Sequence, residues 1–408
     1  MRKVFGLLGA QLEHSFSPLI HSYLGDYDYP LYEIEARNLE TFMQRRSFDG
    51  LNVTIPYKQA VIPYCAALSD KACRTGSVNT IIKAPDGLLY GYNTDYQGFK
   101  KMLAAGGIDP RGKKTLVLGD GGAARTVRTV LAELYAQPVI TISRRGENHY
   151  ENIDRHYDAR LIVNTTPVGM YPHQGSAPLS LAGFRRLSGV ADLIYNPRRS
   201  KLLLEANQLG IPAINGLTML IAQAELASRL FLNIAPRPQL VNKLSAIIKN
   251  KTQNIALIGL PGCGKSTVGR LLAQRLGRPL ADTDEKIAAL KGMSIARILA
   301  EEGEPAFRQL ETQVLSEEAA KNGVVIATGG GVVTQPANRD LLQQNSLIIY
   351  LKRPTSELTT AGRPLSQSLG LPALAHQRLP LYEAWCDRAV TVAAQPEQTI
   401  KRILEAIR

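Results

Sequence analysis

With 408 residues, 45% hydrophobic and 20% charged, the chain is too long for one ordinary core and has the composition of a globular protein of two or three domains, neither disordered nor membrane-embedded. Its formal net charge of +13 divides into 29 Lys/Arg against 20 Asp/Glu over residues 1–250 (+9) and 19 against 15 over 251–408 (+4). With no basic run of five or six residues and no interleaved aromatics, that excess points to small anionic ligands and away from nucleic acid.

Four scattered cysteines (Cys65, Cys73, Cys263, Cys386) and six unpaired histidines offer no zinc or disulfide pattern. The opening MRKVFGLLGA is too short in its apolar run for a secretory signal, and no stretch approaches the ~18 apolar residues of a membrane span. A cytoplasmic chain without a membrane partner is expected.

In chain order, KVFGLLG, YPLYEIE, GLNVTI and VNTIIKA alternate with helix-like stretches, the βαβ rhythm of a parallel-rich sheet. A helix is expected over 94–106, stopped by Gly106-Gly107. KKTLVLGDGGAARTVRTVLAELY reads as strand, glycine turn and helix, and PVITISRR, ARLIVNTTP and GVADLIYNP read as further strands of a doubly wound domain. Residues 218–232 form an amphipathic helix able to return to the first unit. The segment 234–253, with two prolines and a basic polar tail, reads as a linker. NIALIGL then opens a second strand–loop–helix unit, and the α/β alternation restarts.

Two glycine turns carry chemistry. Gly119-Asp120-Gly121-Gly122-Ala123-Ala124 fits G-x-G-x-x-A between a strand and a helix, where backbone can approach a pyrophosphate at the positive helix end. A purely steric glycine turn is the alternative for that motif alone. After the next strand, where a 2′-hydroxyl reader would place Asp or Glu, stand Ser143, Arg144 and Arg145, and two guanidiniums suit the 2′-phosphate of NADP. Asp120 puts a carboxylate inside the phosphate turn, where a small neutral residue is usual.

Residues 1–235 resemble shikimate dehydrogenases. The resemblance is carried by HSFSP (14–18), NVTIPYK (52–58), TGSVNT (75–80), GYNTD (91–95), NTTPVGM (164–170), DLIYNP (192–197) and NGLTML (215–220) with Gln223. It implies substrate contacts from Ser15, Ser17, Thr54, Lys58, Asn79, Asp95, Tyr195 and Gln223. It also implies NADP contacts from Gly119, Asp120, Gly121, Gly122, Ala123, Ser143, Arg144, Arg145, Leu193 and Gly216. Reducing a ketone requires a proton for the developing alkoxide, and a lysine beside an aspartate can deliver it, so Lys58 and Asp95 are the expected catalytic pair. Ser143 stands where that family usually has asparagine.

The second turn, Gly259-Leu260-Pro261-Gly262-Cys263-Gly264-Lys265-Ser266-Thr267, is a full G-x-x-x-x-G-K-S match between strand and helix. Such a loop cradles ATP with Gly262, Cys263, Gly264, Lys265, Ser266 and Thr267, Lys265 reaching the terminal phosphates and Ser266 ligating Mg²⁺. Residues 253–408 resemble shikimate kinase, through Asp282-Thr283-Asp284, Phe307-Arg308-x-x-Glu311, Gly329-Gly330-Gly331, Arg363-Pro364-Leu365 and Arg378-x-x-x-Tyr382. The resemblance implies Asp284 as the base that orients the hydroxyl, Asp282 as a water-mediated Mg²⁺ holder, and Arg308, Gly330 and Arg378 as substrate contacts. It makes Arg363 a lid arginine on ATP, a lid whose second arginine is missing unless Arg353 replaces it. A helical ion pair at Phe-Arg-x-x-Glu and a helix cap at Asp-x-Asp are the plainer readings.

The expected organisation is therefore α/β throughout. A substrate-binding α/β domain (1–105, with returning helix 217–234) is followed by a Rossmann-like NADP domain (106–216), a linker (235–252), and a P-loop kinase with a parallel sheet flanked by helices (253–408). The expected ligands are 3-dehydroshikimate, shikimate, NADP(H), ATP and Mg²⁺. Two alternatives stay open: a quinate/shikimate dehydrogenase fused to a kinase for another small hydroxy acid, and a degenerate sensor of shikimate or nucleotide.

Overall fold

The computed structural model describes residues 2–13, 15–172, 175–358 and 370–407, which fall into two compact units, 1–196 with 200–248 and 249–408 with 197–199. The first unit contains two sheets. In the first, β1 (Phe5–Gly9), β2 (Leu31–Glu33), β3 (Gly50–Val53), β4 (Ala67–Leu68), β5 (Thr80–Lys83) and β6 (Leu89–Tyr92) lie in the order β2-β1-β3-β5-β6-β4. The pairs β1–β2, β1–β3 and β4–β6 are parallel and β3–β5 and β5–β6 are antiparallel, so the sheet is mixed, with three of its five pairings parallel. Strands β5 and β6 are joined by a hairpin at Asp86-Gly87: Gly87 takes φ +82° and Ala84 and Leu88 close the turn backbone to backbone at 2.9 Å.

The second sheet is parallel throughout, β7 (Thr115–Leu118), β8 (Val139–Ile142), β9 (Leu161–Asn164), β10 (Gly189–Asp192) and β11 (Ala213–Asn215), ordered β11-β10-β9-β7-β8. All residues of β7, β9 and β10 are buried, as strands covered by helices on both faces must be. Strand order reverses between β7 and β9, and a doubly wound sheet opens its ligand crevice at that switch point. The helices Asp95–Ala105 and Leu217–Leu232 join the lobes, and Gly98 lets them touch: a Cβ there would sit 2.8 Å from the Met219 carbonyl.

The expected linker is ordered. A helix spans Leu240–Thr252, and its Val241, Leu244 and Ile248 (spacing i, i+3, i+7) are buried with Phe16, Ile20 and Leu24 in the first unit's core. Before it, Arg237 bonds the Leu24 carbonyl at 2.8 Å and meets the buried carboxylate of Glu225 at 3.5 Å.

The second unit has one parallel sheet, β12 (Asn254–Ile258), β13 (Leu280–Asp282), β14 (Val325–Ala327), β15 (Ser346–Lys352) and β16 (Arg388–Thr391), ordered β13-β14-β12-β15-β16. The central β12 is buried at every residue and delivers the chain into the glycine loop and the helix Lys265–Leu276. Among the described residues no helix is long and apolar enough to cross a membrane, and no group of His, Cys, Asp or Glu could hold a metal by itself.

Candidate active sites

In the first unit, Lys58 follows β3 and Asp95 opens a helix. Lys58 Nζ lies 2.6 Å from Asp95 Oδ2, their side chains 16% and 8% exposed. The pair is held in place by buried amides and hydroxyls. Asn79 Oδ1 accepts from the Thr94 backbone N–H at 2.7 Å, and Asn79 Nδ2 donates to Thr94 Oγ1 at 2.9 Å and to Gln223 Oε1 at 3.3 Å. Asn93 Nδ2 donates to Thr75 Oγ1, the Ser77 carbonyl and Thr126 Oγ1 at 2.9–3.0 Å, while its Oδ1 accepts from the Tyr96 N–H, the first turn of Asp95's own helix. Behind them, Tyr29 donates to Asn52 Oδ1 at 2.7 Å and Asn52 Nδ2 donates to Thr80 Oγ1 at 3.2 Å. Each buried donor that finds an acceptor avoids a desolvation cost of about 1–3 kcal/mol, which fixes where the helix begins and hence where Asp95 points.

Ser15 Oγ accepts from the N–H of the buried Ser17 at 3.2 Å and bonds Tyr195, whose ring packs on Phe16 at 5.1 Å. Burial pushes the Tyr195 hydroxyl up, so it stays a donor. Thr54, half-buried, holds its N–H on the Leu8 carbonyl at 2.8 Å. The network brings Lys58, Asn79, Asp95 and Gln223 together, and the Ser15–Ser17–Tyr195 group forms a second cluster.

The glycine turn lies beside the lysine. Gly119 takes φ +100°, and Gly122 stands with the place of its missing Cβ 3.5 Å from Lys58 Cβ and 3.3 Å from Ser77 Oγ. The start of helix Gly122–Glu133 thus opens next to the Lys58 stem, so a pyrophosphate on that helix end fits this cradle. Across the switch point, Thr165 Oγ1 donates to the Leu118 carbonyl at 2.6 Å and would block any Cβ on Gly119. Gly216 is as constrained: a Cβ would fall 2.0 Å from the Leu193 carbonyl oxygen, and its N–H bonds the Ile194 carbonyl. Ser143 bonds the Arg145 carbonyl, and Arg144 and Arg145 are exposed.

The motif DLIYNP also contains a residue to which the sequence reading gave no role. Asp192, fully buried, accepts from Asn164 Nδ2 at 2.9 Å, from the Ile194 N–H at 3.0 Å and from Ser200. Asn164 Oδ1 in turn accepts from the N–H and hydroxyl of Thr166, beside the glycine turn. Burial pushes the Asp192 carboxyl up to about 6 against those three donors.

In the second unit, Gly262 and Gly264 take φ +85° and +98°, the conformations that turn successive N–H groups inward. Lys265, 8% exposed, donates to the Gly259 and Leu260 carbonyls at 2.8 and 3.1 Å, and Cys263 is buried behind it. Ser266 and Thr267 are exposed at the start of the helix. Asp282 Oδ1 caps the helix Thr283–Lys291, accepting from the Asp284 and Glu285 N–H groups at 3.1 and 3.2 Å. The helix-cap reading of that aspartate is therefore met, and Asp284 Oδ1 lies 2.8 Å from where a Cβ on Gly329 would stand. The loop and the acidic cap together fit Mg·ATP, with Ser266 and Asp282 as the metal-side groups.

Arg308 also meets its plainer reading and goes past it. Its Nη1 donates to the buried Glu311 at 2.8 Å, and its Nε and Nη2 both donate to Glu304 Oε1 at 3.2 and 2.9 Å. Burial opposes its charge, and the two glutamates outweigh that and hold the guanidinium protonated. Arg378 Nη1 donates to the Gly330 carbonyl at 3.2 Å and its buried Nε makes no hydrogen bond among the described residues; the Tyr382 hydroxyl shares that carbonyl.

The three glycines are demanded by the protein before any substrate arrives. A Cβ on Gly329 would lie 2.4 Å from Glu311 Oε1, on Gly330 2.6 Å from Pro261, and on Gly331 2.1 Å from Arg308 Nη1. Arg363 lies outside the described residues, while Arg353 pairs with Glu357 at 3.3 Å. Glu304, Thr94, Asn93 and Asn52 were missed. Glu304 had a signal, its i−4 spacing to Arg308; the others sat inside recognised motifs without an assigned role.

A two-lobed dinucleotide-type unit joined to a P-loop unit is the class that these turns define. The shikimate dehydrogenase substrate binding domain matches residues 7–81, and the shikimate kinase family model matches 261–408. The shikimate dehydrogenase (NADP(+)) of Clostridium perfringens is 34% identical over 250 residues, 56% of this chain and 92% of that protein. The structure of shikimate 5-dehydrogenase from Thermus thermophilus in complex with NADP(H) and shikimate aligns at 32% identity and TM-score 0.55, covering 60% of this chain and 99% of that one. A chorismate mutase/shikimate 5-dehydrogenase fusion protein from Clostridium acetobutylicum aligns at 33% and TM-score 0.57, covering 60% and 97%. The chain belongs to the shikimate dehydrogenase family and carries a shikimate kinase domain behind it, an oxidoreductase and a phosphotransferase in one polypeptide.

Proposed function

We propose that the first unit reduces 3-dehydroshikimate to shikimate with NADPH and that the second transfers the γ-phosphoryl group of Mg·ATP to shikimate, giving shikimate 3-phosphate. The observation that carries the first half is the Lys58–Asp95 pair at 2.6 Å beside the Gly122 cradle. NADPH, when bound, supplies the hydride. Lys58 donates the proton that the forming alkoxide requires, and Asp95 keeps the ammonium aimed and accepts a substrate hydroxyl. Ser15 and Ser17 donate to the substrate carboxylate, and Asn79, Gln223 and Tyr195 hold the ring hydroxyls, with Thr54 alongside.

In the second unit, Lys265 leaves its two carbonyl partners for the terminal phosphates. Asp284 accepts the proton of the attacking hydroxyl, and Arg308 and Arg378 fork the carboxylate. Intact catalytic groups in both units count against a degenerate sensor. The test is a single reaction with 3-dehydroshikimate, NADPH and Mg·ATP, followed at 340 nm and by mass spectrometry. Shikimate 3-phosphate formed only with all three present supports both halves; no NADPH oxidation, with NADH also tried, overturns the first half. Shikimate without phosphate overturns the second.

A further inference from the structure

We infer that Asp120 sets the coenzyme preference of the dehydrogenase site: its carboxylate opposes a 2′-phosphate held by Arg144 and Arg145 and accepts the 2′-hydroxyl of an NAD ribose, so that one pocket admits both coenzymes. The inference rests on the dinucleotide reading above and refines it.

The placement comes from the backbone. Strands β7 and β8 run parallel with Leu118 opposite Ile142, and the next residue, Gly119, donates its N–H to the Ile142 carbonyl at 2.8 Å. The two chains therefore leave the sheet together. Asp120 comes one residue after Gly119, and Ser143 and Arg144 come one and two residues after Ile142. Gly119, at φ +100°, turns the first chain, and Asp120 follows with its side chain exposed. On the other side, Ser143 N–H bonds the Asn148 carbonyl at 3.3 Å and Ser143 bridges to His149, closing residues 143–149 into a loop with Arg144 and Arg145 exposed on it.

Tyr150, the next residue, reports on both charges. Burial pushes its hydroxyl up, Arg144 pulls it down and Asp120 pushes it up again, so the carboxylate and the guanidinium bear on the same side chain. The other charged groups on these segments are Arg125, Arg145 and Glu147, all exposed.

The chemistry at such a place has two sides. A 2′-phosphate carries about −1.5 to −2 charges, so Arg144 and Arg145 attract it and Asp120 repels it. A 2′-hydroxyl is a donor, and dinucleotide folds that select NAD place its carboxylate acceptor after the second strand, where this chain has Ser143. Asp120, leaving the sheet beside that strand end, supplies the acceptor from the glycine turn instead. Asp120 is then a selectivity brake that the arginines only partly overcome.

The test is the ratio of kcat/KM for NADPH over NADH in the full-length chain, measured for the wild type, Asp120→Ala, Asp120→Asn and Arg144→Ala. Removing a like charge at close range should raise the ratio about tenfold in both Asp120 variants, mostly through KM, and the gain should shrink at high salt because the group is exposed. Arg144→Ala should lower the ratio. An unchanged ratio in both Asp120 variants with a fall in Arg144→Ala overturns the inference and leaves the NADP reading standing. An unchanged ratio in Arg144→Ala and in an Arg144→Ala/Arg145→Ala double variant overturns the NADP reading itself.

Discussion

Around Lys58 and Asp95 the supporting groups are neutral, the amides and hydroxyls of Asn79, Asn93, Thr94 and Gln223, whereas around Arg308 they are charged, Glu304 on one edge and Glu311 on the other. In the first site the proton donor and its partner already stand at bonding distance. In the second, Lys265 spends its donors on loop carbonyls and Arg308 spends three of its five on glutamates, so ligands must displace or share existing partners. The first arrangement places its cost in folding; the second places it in binding.

The largest effects should come from removing the proposed proton donor and the phosphate lysine. Lys58→Ala should lower dehydrogenase turnover on the order of 10³-fold and leave phosphorylation of added shikimate intact. Lys265→Ala should do the converse, with a loss of similar order. Steady-state assays of each half-reaction on both variants check this, and cross-effects would break the picture of two separately built sites.

Glu311→Gln tests the charged scaffold more sharply. It leaves Arg308 buried against a neutral partner and should destabilise the kinase unit by roughly 3 kcal/mol. Denaturant unfolding would show this, together with a higher KM for shikimate. The neutral scaffold should respond less steeply: Asn79→Ala should cost about 2 kcal/mol in the first unit through the orphaned Thr94 and Gln223 groups.

Two buried titratable groups of the first unit pull stability in opposite directions with pH. His21 is stacked on Tyr29 and bonded to Tyr27, and burial lowers its pKa to about 3 from 6.5. The unfolded chain binds that proton first, so His21's contribution is present above pH 6.5 and is lost as pH falls toward 3. Asp192, raised to about 6 from 3.8, takes its proton first in the folded state. Its contribution is present below pH 4 and is lost as pH rises through 6. Asp192→Asn keeps the shape, so wild-type stability measured against this variant should fall by roughly 3 kcal/mol between pH 4 and pH 7. A difference that does not change with pH would contradict the assignment.

The smallest effect is expected at Glu304, which is 42% exposed and holds only one edge of Arg308. Glu304→Gln should lower the kinase KM for shikimate about threefold, because the substrate carboxylate no longer competes with a screened charge.

Much of this was legible before any coordinates. The two glycine turns announce themselves because phosphate cradles require glycine and because each sits between an apolar strand and a helix. Lys58 and Asp95 are 37 residues apart, and only the family resemblance linked them. The polar network was hidden because an asparagine at a strand end looks the same whether it faces water or braces a helix. The packing demand on the triple glycine was hidden, since its collisions are with Glu311, Pro261 and Arg308, residues remote in sequence. Two prolines and a basic tail disguised the helix Leu240–Thr252, although Val241, Leu244 and Ile248 held the helical period in plain view. The Asp86-Gly87 hairpin was likewise readable as a turn signal and marks one of the antiparallel pairs within the parallel-rich sheet.

The most direct test of the central claim, two complete sites on one chain, is complementation. Lys58→Ala and Lys265→Ala proteins are supplied separately and then mixed, with 3-dehydroshikimate, NADPH and Mg·ATP. The account predicts no product from the first alone, shikimate from the second alone, and shikimate 3-phosphate from the mixture. Phosphorylated product from Lys265→Ala alone, or none from the mixture while the wild type makes it, would contradict it.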